Sequence, residues 1–242
     1  MSPSSRGTAE RARWGAASPL SIVWRCQLDV STYIALGQQI EVGQQACPDC
    51  GRRLGGWSGY WRWARGPGTE RLWIRRRRCA RCRRSHALLP DFLLERRLDE
   101  VEVIGQALAL SIVNGLGMRP VAERLGVPMT TARDWRRRFR VNALVLATAL
   151  VALAVRLDPA AVLLSATHHE TAALESLGAA WQRARTRFGQ RMPKLWRFWS
   201  LSSCPWPCEC IRRWPDECRR WRPEMAVTGG QLKVPALVST TL

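Results

Sequence analysis

The spacing of apolar and polar residues divides the chain into a short alternating part and a longer helical part. Between residues 57 and 75, aromatic and aliphatic residues alternate with arginine on both sides of Gly66-Pro67-Gly68. Alternation with a period of two around such a breaker predicts a β-hairpin. Two earlier pieces, SIVW and STYIAL, are β-prone by composition but do not define how their segment folds.

After Pro90 the apolar spacing becomes that of helices. Apolar residues recur at intervals of three and four from Leu98 to Val113, which predicts a helix that ends at Asn114-Gly115. The acidic residues Asp99 and Glu100 lie in its first turn, where the helix dipole favours negative charge.

The next segment, RPVAERLGVPMTTARDWRRRF from Arg119 to Phe139, predicts two helices joined by a short turn at Gly126, a helix-turn-helix. Its apolar positions predict a small core of Val121, Ala122, Leu125, Val127, Ala132, Trp135 and Phe139. That spacing places Thr130, Arg133 and Arg137 on the opposite side of the second helix, the side offered to a DNA major groove. An ordinary helical hairpin in an all-α domain is the alternative.

Two more helices are predicted before the pattern ends. The run Val141 to Val155 is almost wholly apolar, and its 15 residues fall short of the roughly 20 needed to cross a bilayer, so we expect a buried helix. Residues 171–187 form a second candidate helix, which would either pair with the first or form a dimer surface. From Lys194 the chain is dense in Trp, Cys, Pro and Arg without periodicity, which predicts a poorly structured tail.

Two cysteine pairs, Cys47-Pro-Asp-Cys50 and Cys79-Ala-Arg-Cys82, flank the predicted hairpin. A two-residue gap lets both sulfurs of a pair face one metal ion at about 2.3 Å, and two such pairs complete a closed tetrahedral zinc site. Gly51 follows the first pair, where the knuckle turn needs a residue that tolerates positive φ, whereas Arg83 stands at the same place after the second. The order of knuckle, hairpin and knuckle predicts a zinc ribbon with structural Zn²⁺; free thiols or a redox pair are the alternative.

The remaining cysteines and histidines give weaker signals. His86 lies four residues past Cys82, and we expect it to be a loop residue because four sulfurs already complete the site. The tail cysteines Cys204, Cys208, Cys210 and Cys218 fit no familiar zinc-knuckle spacing. His168-His169 is interpreted as polar surface.

The charge balance favours a polyanionic partner. The chain has 38 basic residues against 19 acidic ones, a formal net charge of +19. Of the basic residues 36 are arginine, which suits phosphates and guanine edges but is also what a GC-rich coding sequence produces. Residues 47–97 contain 14 Arg against four acids, a net of +10, so over half the excess lies on the predicted ribbon.

Duplex DNA is therefore the expected partner. We predict base or near-base contacts from Thr130, Arg133 and Arg137, with Arg136 on the flank, and phosphate contacts from Arg75, Arg76, Arg77, Arg78, Arg83 and Arg84. Tryptophans interleave with the ribbon arginines, so RNA bound on the aromatic face of the ribbon is an alternative.

The number of cysteines and the composition of the N-terminal residues indicate the cellular compartment. Nine cysteines without a secretory signal favour metal binding or free thiols in a reducing compartment, and we expect a cytoplasmic protein. Together the patterns predict a mainly α chain with a small β zinc ribbon. The expected parts are a disordered arm over 1–18, a zinc-ribbon module over 19–97, a three-helix helix-turn-helix domain over 98–142, a helical extension over 143–192 and the tail over 193–242.

Read together, the segments CPDCG, LWIRRRRCARC, SHALLPDFLLERR, VEVIGQAL and RPVAERLGVPMTTARDWRRRF resemble a family of uncharacterised actinobacterial proteins that join a zinc ribbon to a helix-turn-helix. The same pair of modules is similar to the N-terminal DNA-binding region of insertion-sequence transposases. The resemblance covers about residues 22–142 and implies DNA binding. The family continues past Trp196 with a glycine-containing segment, whereas residues 204–223 here differ, and a frameshifted or degraded end is one hypothesis for this.

The resemblance also raises the question of catalysis. Transposases of the DDE type need three carboxylates fixed on a strand-rich domain, and the acidic residues after Val141 have no such segment to hold them. We therefore expect no enzymatic activity of this chain alone. A transposase-related DNA-binding protein or transcriptional regulator is the leading interpretation. The alternative is an accessory subunit or degraded remnant of a recombinase that acts with a transposase partner, and a homodimer is open.

Overall fold

The computed structural model describes residues 21–66, 68–95, 97–160 and 168–202. Its strands are β1 (Ser21–Trp24), β2 (Gly55–Arg65), β3 (Thr69–Arg78) and β4 (Ser85–Pro90), and its α-helices are α1 (Val30–Leu36), α2 (Val101–Leu108), α3 (Met118–Leu125), α4 (Met129–Leu157), α5 (His169–Phe188) and α6 (Leu195–Ser202). One π-helical turn, Ala109–Val113, extends α2. The chain is mainly α with a small sheet, as the sequence predicted.

The sheet has four strands in the order β1-β4-β3-β2. Strands β2 and β3 form the predicted antiparallel hairpin, with Trp61 opposite Trp73, and β4 pairs antiparallel with β3. Strand β1 closes the other edge by pairing parallel with β4. The hairpin strand β2 is therefore an edge strand with one side free of sheet partners within the described residues.

The β-prone piece STYIAL forms helix α1 rather than a strand. The carboxylate of Asp29 caps this helix by accepting hydrogen bonds from the Thr32 backbone N–H at 2.9 Å and from its hydroxyl at 2.7 Å. The same helix buries Tyr33, whose hydroxyl donates to the Trp73 carbonyl at 2.8 Å. The N-cap and this tertiary contact outweigh the local β propensity.

The buried side chains form two main cores. One lies on one face of the sheet and contains Tyr33, Ile40, Leu72, Ile74, Leu88, Leu89, Phe92 and Leu93. The other lies among the helices and contains residues from Val101 in α2 to Trp199 in α6. The two cores meet near residues 93–101.

Helix α4 joins the predicted helix-turn-helix and the predicted extension without a break. The boundary expected at 142/143 falls in the middle of this 29-residue helix. Asn142 does not interrupt it, because its side-chain amide donates to the Arg138 carbonyl at 2.8 Å within the helix. Buried residues on both sides of this point, Phe139 and Leu150 among them, belong to the same core. Residues 129–157 thus form one element. It runs parallel to α5, because Arg136 near its start lies 3.5 Å from Glu170 and the Leu157 carbonyl at its end accepts a hydrogen bond from Arg187 at 3.2 Å.

Because α4 is longer than the apolar run alone, its length no longer argues against a membrane span. Among the described residues it is the helix that is long and apolar enough to cross a bilayer, by length and composition. A third of its most apolar 18-residue window is buried against the rest of the chain, and the core helices of water-soluble proteins pass the same test. The arginine-rich start of the helix and its packing against α5 favour a core helix.

The predicted poorly structured tail begins instead with a packed helix, α6. Phe198 and Trp199 are buried in the helical core. Arg197 donates hydrogen bonds to the carbonyls of Cys26 at 3.0 Å and Leu28 at 3.1 Å, which ties α6 to the sheet module. Eight residues are too few for periodicity to stand out in a Trp-rich sequence, which is why the prediction was wrong here. Residues 203–242, with the four tail cysteines, lie outside the described residues.

Candidate metal centre and basic surfaces

The first cysteine pair lies on a tight knuckle before β2. The Cys47 backbone N–H donates to the Arg52 carbonyl at 2.7 Å, and the Gly51 N–H donates back to the Cys47 carbonyl at 2.9 Å. Gly51 has a φ of 70°, the left-handed conformation that the sequence assigned to this position. The turn directs both thiols to the same side.

The second pair lies on an equivalent knuckle between β3 and β4. The Cys79 N–H donates to the Arg84 carbonyl at 2.9 Å, and the Arg83 N–H donates to the Cys79 carbonyl at 2.9 Å. These bonds repeat those of the first knuckle position for position. Arg83 has a φ of 59°, and in the part of the chain that the structure describes it is the residue other than glycine whose φ is positive. This turn therefore holds a side chain in a conformation that favours glycine.

The hairpin brings the two knuckles together. All four cysteine sulfurs lie within 4.8 Å of one another: those of Cys47, Cys50, Cys79 and Cys82. A tetrahedral Zn²⁺ with bonds of about 2.3 Å requires sulfurs about 3.8 Å apart, so the spacing suits this ion. Cys47 and Cys79 are buried, and Leu54 and Ile22 pack around the cluster. The four predicted ligands are therefore close enough to bind a metal ion.

Hydrogen bonds within the cluster shift the pKa values of Cys79 and Cys82 in opposite directions. Backbone donation from Cys82 leads the effects that lower the pKa of Cys79 to about 7. A hydrogen bond with Cys50 is the main cause that raises the pKa of Cys82 to about 12, and burial raises the pKa of Cys47. Four adjacent sulfurs cannot all ionise without a cation, so a metal that binds here displaces protons.

His86 is buried beside the cluster and is not the loop residue that we expected. It lies on β4 with 1% of its surface exposed, and its Nε2 is 3.9 Å from Cys47 Sγ. Asp49 approaches the same sulfur at 4.0 Å, and these three residues form a second group with metal-ligand spacing. The sequence pattern did not indicate this position, because β4 begins almost immediately after the second knuckle and buries residue 86. His86 is placed to support the ligand Cys47 or to replace a thiolate.

Two of the arginines predicted to bind phosphate are engaged within the protein. Arg75 donates to the carbonyls of Ile40 and of Gln38, the latter at 2.7 Å. Arg77 donates to the Val42 carbonyl. These bonds fasten the segment that precedes the first knuckle onto strand β3.

The other ribbon arginines are more varied. Arg76 donates to Ser85 Oγ at 2.7 Å, and Arg78 stacks 4.5 Å from the centroid of the Trp57 ring. Arg84 forms an ion pair with Asp49 at 3.5 Å. Arg83 has an exposed side chain. The predicted phosphate-binding role fits Arg83 best, because its side chain is exposed, and it fits the half-buried Arg76 and Arg78 next. It fits Arg75 and Arg77 less well, because their guanidinium groups already donate to backbone carbonyls.

The second basic surface lies on α3 and the first turns of α4. The predicted small core is formed here: Val121, Ala122, Ala132, Trp135 and Phe139 are buried, and Leu125 and Val127 are partly buried. Thr130, Arg133 and Arg137 are exposed on the opposite side of α4. Arg136 turns toward α5, where it is 3.5 Å from Glu170.

Asp134 orders the arginines around it. It pairs with Arg137 at 2.7 Å and with Arg138 at 2.6 Å, and these hydrogen bonds lower the pKa of the Asp134 carboxyl. Arg133 has no such pair within the described part of the chain. The side chain of Arg137 is two-thirds exposed, so part of its guanidinium still faces solvent.

The comparisons with known proteins give one match. Residues 47–116 match the Domain of unknown function (DUF6431). The matched region begins at Cys47 and contains both knuckles, the hairpin and α2, whereas α3 and the exposed arginines of α4 lie beyond it. No curated protein and no solved structure matches the chain.

Proposed function

We propose that this chain is a zinc-stabilised DNA-binding protein that reads duplex DNA with α3 and the first half of α4. The observation that carries the proposal is the exposed row of Thr130, Arg133 and Arg137, on a helix whose opposite side is buried against α3. A row of this kind, which spans eight residues or about 10 Å of the helix axis, matches what a recognition helix places in a major groove.

The connection between the two helices supports this role. Helix α3 ends at Leu125, Gly126 adopts a left-handed φ of 63°, and α4 begins at Met129. A three-residue connection that contains glycine at the turn is typical of helix-turn-helix motifs. The first turn of α4 has no side-chain cap. The Thr131 N–H already donates to the Pro128 carbonyl at 2.9 Å, so the positive end of this helix would meet a phosphate oxygen through the N–H groups before it.

In this proposal the metal centre has a structural role. Zn²⁺ held by Cys47, Cys50, Cys79 and Cys82 would fix the β2–β3 hairpin and leave no ligand position for a catalytic water. The chain then works as a transposase-related DNA-binding protein or a regulator, without chemistry of its own. A recombinase partner that carries the nuclease domain is compatible with the same surface.

The experiment that tests the proposal measures the affinity of the full chain for a duplex selected from a random-sequence pool. We expect Arg137→Ala to weaken binding by about 1–3 kcal/mol and to relax preference at one base position. Arg133→Ala should do the same at a neighbouring position. A phosphate-binding arginine such as Arg83, changed to Ala, should weaken all sequences alike and reduce the salt dependence by about one counterion.

The matched control is Arg156→Ala, which removes one arginine from the other end of α4. It lies 23 residues beyond Arg133, about 35 Å along the helix, and should leave duplex affinity almost unchanged. Equal affinity of wild type and both recognition variants, or no binding of wild type to any duplex at low ionic strength, would exclude this function.

A further inference from the structure

The outward side of the β2–β3 hairpin carries a row of exposed tryptophans. Trp61 and Trp63 on β2 are 42% and 53% exposed, and Trp73 and Arg71 lie beside them on β3. Trp57, 56% exposed, continues the row toward the first knuckle. We refer to Trp57, Trp61, Trp63, Trp73 and Arg71 as the tryptophan face. The opposite side of the hairpin holds Leu72 and Ile74 in the sheet core, so the tryptophan face is not needed to build that core.

The rings of the tryptophan face are held in place. Trp61 and Trp73 contact edge to face, with ring centroids 5.4 Å apart. The guanidinium of Arg71 lies 5.6 Å from the ring centroids of both Trp61 and Trp63. An arginine in this position fixes the orientation of the rings and adds positive charge between them. The face is therefore ordered before any ligand binds.

The absence of a side chain at Gly59 leaves the space that the Trp73 ring occupies. A Cβ atom at residue 59 would lie 2.3 Å from the Trp73 ring, so no larger residue fits without moving that ring. The Trp73 ring thus packs against the β2 backbone at Gly59.

A groove runs from the tryptophan face along the start of β2. It has a volume of about 690 Å³ and is lined by Trp57 and Trp73, by Arg75, Arg76 and Arg77, and on its far wall by residues 40–42. The lining contains the carboxylate of Glu41 and three arginine side chains, so its net charge is positive. Flat rings next to a cationic groove of this size fit a chain of planar, negatively charged units better than a purely apolar ligand.

We propose that the tryptophan face and this groove bind an unpaired stretch of DNA, with bases stacked on Trp61, Trp63 and Trp57 and the phosphates lying along the groove beside Arg76. Arg75 and Arg77, which are held by backbone carbonyls, add positive charge to the same groove. Bases inside a duplex have their faces covered by neighbouring base pairs, so the exposed rings match single strands and not the helix read by α4. The two surfaces are formed by different elements and act on different forms of DNA. The inference therefore does not depend on duplex recognition by α4.

The test uses the full chain and a fluorescent 12-nucleotide oligothymidylate, with an oligouridylate of the same length and a 12-bp duplex as comparisons. We expect the double variant Trp61→Ala/Trp63→Ala to lose oligothymidylate affinity about tenfold or more, because stacking carries much of such binding. The conservative pair Trp61→Phe/Trp63→Phe should retain most of it. Gly59→Val should also reduce oligothymidylate binding, because the added side chain displaces the Trp73 ring of the tryptophan face.

Arg133→Ala and Arg137→Ala are the controls that separate this surface from the proposed duplex site. They should leave oligothymidylate binding unchanged while weakening duplex binding, and the tryptophan variants should show the reverse. Because Trp61 and Trp63 are exposed, their variants should keep the wild-type melting temperature. Oligothymidylate affinity that is unaltered in Trp61→Ala/Trp63→Ala, absent in wild type, or much weaker than oligouridylate affinity would overturn the proposal.

Discussion

Cys79 shows most directly what a single residue contributes to this fold. Its backbone anchors the second knuckle, and its thiol lies 3.5 Å from Cys50 of the first. We expect Cys79→Ser to abolish stoichiometric zinc and to lower the melting temperature of the chain. Structural zinc sites in small domains provide about 10–16 kcal/mol of apparent binding energy, so the loss should be large. Metal analysis of the purified protein and thermal unfolding with and without a chelator measure both effects.

Cys26 supplies the matched control for this prediction. It is buried away from the cluster, and burial raises the pKa of its thiol to about 11, so it stays protonated. Cys26→Ser should therefore keep one zinc per chain and the response to chelator. His86→Ala then decides whether the histidine is a ligand: four sulfurs suffice if the zinc content is unchanged. A Cys79→Ser protein that still holds full zinc would contradict the assigned site.

Residue spacing predicted which cysteine sulfurs lie together but not the roles of the arginines. The doubled Cys-x-x-Cys pattern fixes which sulfurs can meet, because the geometry of the knuckle is local. Arg75 and Arg77 look in sequence like the rest of the basic run, yet their guanidinium groups bind carbonyls of residues 38–42, more than thirty positions earlier. Such a contact depends on where a distant segment lies. For the same reason the pattern gave no sign that His86 is buried.

At the level of elements, the contact between α2 and α6 depends on a missing side chain. A Cβ atom at Gly105 in α2 would lie 2.0 Å from the ring of Trp196 in α6. We expect Gly105→Ala to destabilise the chain by about 1–3 kcal/mol, since the ring has to move within a packed interface. Chemical denaturation at pH 7 measures the change in free energy of unfolding.

Gly178 in α5 is the matched glycine for comparison. A Cβ atom there would meet nothing within 4 Å, so Gly178→Ala should gain helix propensity without a clash. The expected effect is a stabilisation of about 0.5–1 kcal/mol, opposite in sign to that of Gly105→Ala. A stabilising effect of Gly105→Ala, like the one expected for Gly178→Ala, would mean that the Trp196 ring of α6 does not pack on α2 at this point.

Elements were predictable where their pattern was long. The helices α4 and α5 and the hairpin strands follow from patterns of ten or more residues, and α3 follows from the turn signal at Gly126 that ends it. Helices α1 and α6 have seven and eight residues, and each is held by contacts from elsewhere in the chain. Tyr33 of α1 bonds to β3, and Arg197 of α6 bonds to the loop after β1. A short sequence window does not contain the partners that decide its structure.

At the scale of the whole molecule, the junction between the two cores holds a buried ion pair. Asp91 follows β4 and is fully buried, with its carboxylate 3.5 Å from the guanidinium of Arg197 in α6. Arg197 also lies 5.4 Å from the ring centroid of Phe92. This charged contact therefore helps to join the sheet module to the helical core, and a second one, between Arg65 of β2 and the buried Asp99 at 2.9 Å, lies in the same region.

This junction should make the stability of the chain depend on pH. Burial raises the pKa of Asp91 from 3.8 to about 7, although Arg197 acts in the opposite direction. Between about pH 4 and pH 7 the folded chain then keeps a proton that the unfolded chain has released. Stability accordingly falls as pH rises through this window, by up to about 4 kcal/mol, and this contribution is constant above pH 7.

Asp91→Asn removes this titration while keeping the size and planar shape of the side chain. We expect the melting temperature of the variant, relative to wild type, to increase from pH 4 to pH 7 and then to level off. Asp158→Asn, which makes the same change at a half-exposed carboxylate that pairs with Arg183 at the end of α4, is the matched control. If the relative stability of Asp91→Asn instead decreased as pH rose, attraction to Arg197 would outweigh burial. The contact between the two cores would then hold Asp91 as a carboxylate rather than as a neutral acid.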